Sequence, residues 1–158
     1  MPLTLTALKG MPLIAAGDEL ATIILSALSA AAMPLADGDI VVVGQKIVSK
    51  AEGRMVNLAD VTPGVRATRI AKETEKDPRL IELILSESVR ILRTRPGTII
   101  VQHRLGFVCA NAGIDHSNVA GAASSQDEYV LLLPRIQMPL PRTCDRGWRR
   151  SRESVSAL

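Results

Sequence analysis

The patterning of the chain predicts an α+β fold, with short mixed or antiparallel strands packed beside three helices. Three observations carry that expectation. Apolar residues recur at helical spacing in three separate stretches. Short β-branched or alternating runs stand between them and after them. Gly and Pro punctuate nearly every junction. At 158 residues with 47% apolar content, one domain with a sizeable core is within reach.

Met1 to Leu8 alternates loosely and reads as a first strand, ended by Lys9-Gly10-Met11-Pro12. Asp18 or Glu19 then begins a helix to about Ala32, with Leu20, Ile23, Ile24, Ala27 and Leu28 on one face and Pro34 beyond its end. Asp37-Gly38-Asp39 is a turn that feeds Ile40-Val41-Val42-Val43, a β-branched run suited to a strand covered on both faces. Gly44 to Gly53 is polar enough to be a site or a solvated turn. Thr62-Pro63 and Asp77-Pro78 repeat one helix-start signal, a capping side chain followed by proline at the first helical position. They predict helices over roughly 63–76 and 78–89, the second with Leu80, Leu83, Ile84 and Val89 inward and Glu82, Glu87 and Arg90 outward. Pro96-Gly97 is a turn and Thr98 to Gln102 a strand. Arg104-Leu105-Gly106 closes a hairpin onto Phe107 to Ala110, and Tyr129 to Leu133 is a last short strand after a polar loop over 120–128.

Composition excludes several classes of function. Aromatic residues make up 2% of the chain, too few for a base-stacking surface. The net charge of +3 belongs to the tail, since residues 135–158 hold six Arg against Asp145 and Glu153, leaving thirteen basic and fourteen acidic residues before them. Nucleic-acid binding through that tail would rest on charges outside the patterned fold. Cys109 and Cys144 have no CxxC partner, so reduced thiols in a cytoplasmic protein are expected and a zinc site is not. The apolar stretch from Ala21 to Leu35 is interrupted by Thr22, Ser26, Ser29 and Pro34, so no membrane span is expected; no basic region precedes an apolar one at the amino terminus, so neither is a secretion signal. Phosphate-loop, dinucleotide, nucleophile-elbow and H-E-x-x-H signatures are absent.

Four segments are candidates for chemistry, each with an ordinary alternative. In N-A-G-I-D-H-S-N, residues 111–118, Asp115 offers a hard oxygen ligand to Mg²⁺ or Mn²⁺, and Asn111, Ser117 and Asn118 offer neutral hydrogen-bonding groups. Spacing alone favours an Asx-turn with Gly113 at positive φ. Lys50 could meet a phosphate as a point charge, with Gln45 and Lys46 nearby, but local residues alone favour a surface lysine paired with Glu52. Gly10-Met11-Pro12-Leu13 is either a close-approach turn for a ligand or a plain turn. His103 reads as a strand-end histidine.

Taken in order, G-M-P-L-I-A-A-G-D-E-L at 10–20, D-G-D-I-V-V-V at 37–43, I-V-S-K-A-E-G-R at 47–54, H-R-L-G-F-V-C-A-N-A-G-I-D-H-S-N-V at 103–119 and the closing L-L-L-P at 131–134 resemble the coenzyme F-420-0:L-glutamate ligase family. The resemblance implies a GTP-dependent amide ligase that attaches L-glutamate to the lactate carboxylate of coenzyme F-420-0 and then adds γ-linked glutamates, working as a cytoplasmic homodimer with Mg²⁺ or Mn²⁺ and with K⁺ as a further cation. By the same resemblance Gly10, Met11, Pro12, Leu13, Gln45, Lys50 and Asn118 contact GTP and Asp115 holds the metal.

The resemblance covers residues 1–134. The family's ligase domain continues through a later segment, an Asp followed by Ser or Thr, one variable residue, Gly and Arg, that supplies further metal ligands, and residues 135–158 do not match it. The domain is therefore expected to be incomplete, and the basic tail disordered or the product of a shifted frame. A catalytically inert fragment that keeps weak nucleotide or metal binding, or dimerisation, is the alternative to an active ligase.

Overall fold

The computed structural model describes residues 3–116 and 128–135. They form two compact units, residues 3–53 with Arg135, and residues 54–134 as far as described. Among the described residues, four α-helices and antiparallel sheets of two and three strands make the architecture α+β, as the patterning predicts. No helix among the described residues is long and apolar enough to cross a membrane.

In the first unit, α1 spans Leu20–Ala30 and buries Ala21 and Ile24. Neither acidic residue caps it by side chain. Asp18 instead accepts a hydrogen bond from the Ala15 amide at 2.7 Å and closes the turn ahead of the helix. At the other end Ala32 is left-handed and the Met33 amide returns to the Leu28 carbonyl at 3.0 Å, so the last turn is sealed before Pro34. Gly38 at φ +95 makes the expected Asp37-Gly38-Asp39 turn, and Asp39 accepts from the Ala36 amide at 2.8 Å.

Two expected strands do not form. Residues 3–8 and 40–43 belong to no strand, and Ile40 and Val42 are each 85% exposed. β-Branched side chains favour extended backbone, but a strand also needs a neighbour to take its amides and carbonyls, and no described strand lies beside either run. Conversely, the segment open to reading as site or turn is helical: α2 spans Gln45–Ala51, with Val48 and Ser49 buried and the Gln45 side-chain Nε2 donating to Ser49 Oγ at 2.7 Å.

The second unit begins with β1, Met55–Asn57, which pairs antiparallel with β5, Tyr129–Leu131. Helices α3, Val65–Thr74, and α4, Pro78–Ser86, come where the two cap-plus-proline signals place them. Asp77 caps α4 as expected, accepting from the Arg79 amide at 2.8 Å, with Pro78 in the first turn. Thr62 does not cap α3. Gly64 sits at its N-cap, and its amide goes to the Glu82 carboxylate of α4 at 2.8 Å.

α4 stops at Ser86, and β2, Ser88–Arg95, replaces the helical end expected up to residue 89. β2 pairs with β3, Thr98–His103, across the two-residue Pro96-Gly97 turn; β3 pairs with β4, Val108–Ala110. The β3–β4 turn is the expected one, with Gly106 at φ +94. Alternate residues Ile99, Val101 and His103 of β3 point into the unit, and Ile99 and Val101 join Ala67, Ile70, Ala71, Ile81, Ile84 and Ala112 in its core.

Candidate functional site

After β4 the chain makes an unusual turn. Asn111, Ala112 and Gly113 take φ values of 51°, 53° and 67°, three left-handed residues in succession. For an L-residue with a Cβ that conformation costs roughly 1–2 kcal/mol, so the surroundings must impose it. They do. Ala112 is fully buried in the core, Asn111 accepts from the Ile99 amide of β3 through its side-chain oxygen at 3.3 Å, and the Ile114 amide returns to the Asn111 carbonyl at 3.1 Å. A Cβ on Gly113 would stand 2.5 Å from Leu133 Cδ1, so glycine is required there by contact as well as by φ. The Asx-turn reading is thereby corrected in one respect: Gly113 has the expected positive φ, but Asn111 bonds the neighbouring strand rather than the backbone just ahead of it.

The turn delivers Asp115 to β5. Its amide donates to the Leu131 carbonyl at 2.9 Å and its carbonyl accepts from the Leu131 amide at 2.8 Å, a closed two-bond bridge. Half-buried Asp115 is thus held to β5 through its own amide and carbonyl, with exposed His116 following. Asn118 and Ser117 lie outside the described residues.

Close to the start of the β1–β5 ladder is a buried charge cluster. Glu87, read from its helical spacing as outward-facing, is 5% exposed. Its Oε2 accepts from Arg54 Nη2 at 2.7 Å and forms an ion pair with Arg104, whose Nε is 3.0 Å away, and His103 Nε2 stands 3.5 Å away without a satisfied hydrogen bond. His103 Nδ1 accepts from the Leu105 amide at 3.0 Å, which places the proton of the neutral ring on Nε2, and the ring stacks on Phe107. Burial pushes the His103 pKa down against the opposing pull of Glu87, with Arg104 and Arg54 adding to the depression. Cys109, half-buried on β4 and outside any disulfide, has its thiol pushed up by burial, the setting of an inert rather than a nucleophilic cysteine.

The remaining expected contacts lie in the first unit. Gly10 has φ +78 with open space where a Cβ would stand, Met11 is half-buried, and Pro12 and Leu13 are exposed. Gln45 opens α2 and Lys50 comes in its last turn, half-buried.

Comparison with known proteins now decides the kinship. The family model described as F-420-0:gamma-glutamyl ligase matches residues 10–146. The coenzyme F-420:L-glutamate ligase of Methanothermobacter thermautotrophicus is 50% identical over 119 residues, 75% of this chain and 47% of that protein. Those of Methanopyrus kandleri and Halobacterium salinarum are each 41% identical, over 75% and 82% of this chain and 42% and 49% of theirs. The chain belongs to the F-420-0:γ-glutamyl ligase family.

It spans about half the length of the curated relatives it matches. As a member of this family it can be asked whether its residues suit a divalent cation. Among the described residues no group of three or more His, Cys, Asp or Glu side chains could hold a metal, so they build no closed protein cage. A single carboxylate can serve Mg²⁺ or Mn²⁺ when phosphate oxygens and water complete the shell, and Asp115 offers one on a bridged backbone. Arg54 and Glu87 went unnoticed as a pair in the sequence. Arg54 closes the I-V-S-K-A-E-G-R segment, but a partner 33 positions away leaves no local signal.

Proposed function

We propose that this chain carries the nucleotide- and metal-holding portion of a GTP-dependent amide ligase that adds L-glutamate to coenzyme F-420-0 and then further γ-linked glutamates. The observation that carries the proposal is family membership at up to 50% identity, together with an Asp115 whose backbone amide and carbonyl are both bonded to Leu131.

The chemistry follows from the poor reactivity of a carboxylate toward an amine. The substrate carboxylate attacks the γ-phosphorus of GTP, the bond to the β-phosphate oxygen breaks, and GDP leaves with the bonding pair. The glutamate amino nitrogen then attacks the acyl carbon, inorganic phosphate departs, and loss of the amine proton leaves the amide. A bound Mg²⁺ or Mn²⁺ would neutralise charge on the phosphates. In this reading Asp115 holds that cation, and Lys50 places a point charge toward the phosphates. Gln45 and Asn118 hydrogen-bond the nucleotide, while Gly10-Met11-Pro12-Leu13 lets backbone approach it closely. K⁺ is a further cation of the same reading, and homodimerisation its assembly.

A second reading is a chain that binds nucleotide or metal without turnover, favoured by one observation: among the described residues no group of three or more His, Cys, Asp or Glu side chains could hold a metal.

Mass spectrometry of F-420-0 incubated with the chain, GTP, L-glutamate and Mn²⁺ separates the two. The ligase reading expects a glutamylated product with stoichiometric GDP and phosphate, lost in Asp115→Asn. GTP binding with no product in the wild-type chain would overturn it and leave the inert fragment.

A further inference from the structure

We propose that Arg54 and Glu87 are positioning residues for Asp115, forming a buried latch that fixes the short ladder carrying it. The inference rests on the reading of Asp115 as the metal ligand. Asp115 is bridged to Leu131 of β5, and β5 pairs with β1, so the ligand's backbone is held by two strands of three residues each. A two-stranded ladder of that length is marginal by itself and needs an outside anchor.

Arg54, immediately before β1, supplies it from three atoms. Its carbonyl accepts from the Leu132 amide at 3.0 Å, its Nε donates to the Leu133 carbonyl at 2.9 Å, and its Nη2 donates to Glu87 at 2.7 Å. Glu87 lies between α4 and β2, and its backbone carbonyl accepts from the Arg104 amide of the β3–β4 turn at 2.9 Å. One carboxylate therefore ties the β1–β5 ladder to the three-stranded sheet. Leu133 also packs over Gly113, so the same anchor bears on the left-handed turn from which Asp115 emerges.

The guanidinium fork matters to this geometry, because one planar group reaches a carbonyl and a carboxylate together. A lysine at position 54 keeps the buried cation but, from a single nitrogen, not both directed bonds. Arg54→Lys is thus the variant that separates placement from mere charge compensation, and Glu87→Gln removes the ion pair outright.

The test is amide hydrogen exchange on the full chain, read at Asp115 and Leu131 against Ile100 to Gln102 of β3, with Mn²⁺ affinity measured alongside. Arg54→Lys is expected to speed exchange at Asp115 and Leu131 at least about tenfold while β3 keeps its protection, and to weaken Mn²⁺ binding about tenfold, the usual size of an effect transmitted through a ligand's neighbours. Unchanged exchange at Asp115 and Leu131, or an equal rise throughout β3, would overturn the latch. Should Glu87→Gln fail to fold, the Arg54→Lys measurement stands by itself. Mn²⁺ binding to the wild-type chain that ignores Asp115→Asn would instead remove the ligand reading, and the exchange pattern would still decide the latch.

Discussion

Asp115, the proposed metal ligand, is placed by the backbone that leads to it. Three consecutive left-handed residues, two of them bearing a Cβ, precede it, and packing by Ile99, Leu133 and the core holds them there. Gly113→Ala adds a Cβ at φ 67° and 2.5 Å from Leu133. We expect it to cost about 2–4 kcal/mol, the left-handed penalty plus overpacking, measurable by urea unfolding. The positive φ of Gly113 was legible from its place in a polar turn. The left-handed Ala112 was not, because alanine advertises no such conformation and only its tertiary surroundings enforce it.

His103 gives the residue scale its pH dependence. Its folded pKa lies below the ordinary histidine value of 6.5, with burial the largest cause. The unfolded chain therefore takes up the proton first as pH falls. Stability contributed by the neutral ring is present above the unfolded pKa and declines as pH drops through it toward the lower folded value. Urea midpoints at about pH 7.5 and 5.5 should differ in the wild-type chain and differ less in His103→Asn, whose amide oxygen stands where Nδ1 does and can still accept from Leu105. An unchanged difference would assign the acid sensitivity to other groups. Protonation would also turn Nδ1 into a donor facing the Leu105 amide, so the β3–β4 turn is where acid loosening should begin.

Among the elements, local chemistry was readable where it is self-contained. Asp77-Pro78 starts α4 by a side-chain bond within two residues, and hydrogen bonding to Arg79 also holds the Asp77 carboxyl below the usual carboxylate range. Asp77→Ala should cost about 1 kcal/mol and lower the thermal midpoint, an effect confined to pH values at which the carboxylate is ionised. Thr62-Pro63 carries the same signal, yet the cap of α3 comes from Glu82, 18 positions from the amide it receives. α2 has seven residues, too few for a helical period to show, so its sequence does not distinguish a helix from a site or a turn. The run from Ile40 to Val43 suits a strand by side-chain preference alone. Pairing is a property of two segments, and no described strand supplies the second.

For the whole molecule, the family was legible because four weak segments stand in register, where none is decisive singly. The fold class was legible for a similar reason, since alternation in β3 and the periodicity of α4 are each local and agree with one another. The Arg54–Glu87 pair was not, for it joins residues distant in sequence, and charged residues near a helix end ordinarily face water. At this scale the proposed function stands on what Asp115 binds.

Water-proton relaxation by Mn²⁺, titrated into the chain with and without GTP, tests that claim most directly. The account predicts protein-bound Mn²⁺ in the wild-type chain, tightened by GTP and lost in Asp115→Asn with the helical circular dichroism intact. Equal Mn²⁺ binding by the folded Asp115→Asn variant would contradict it.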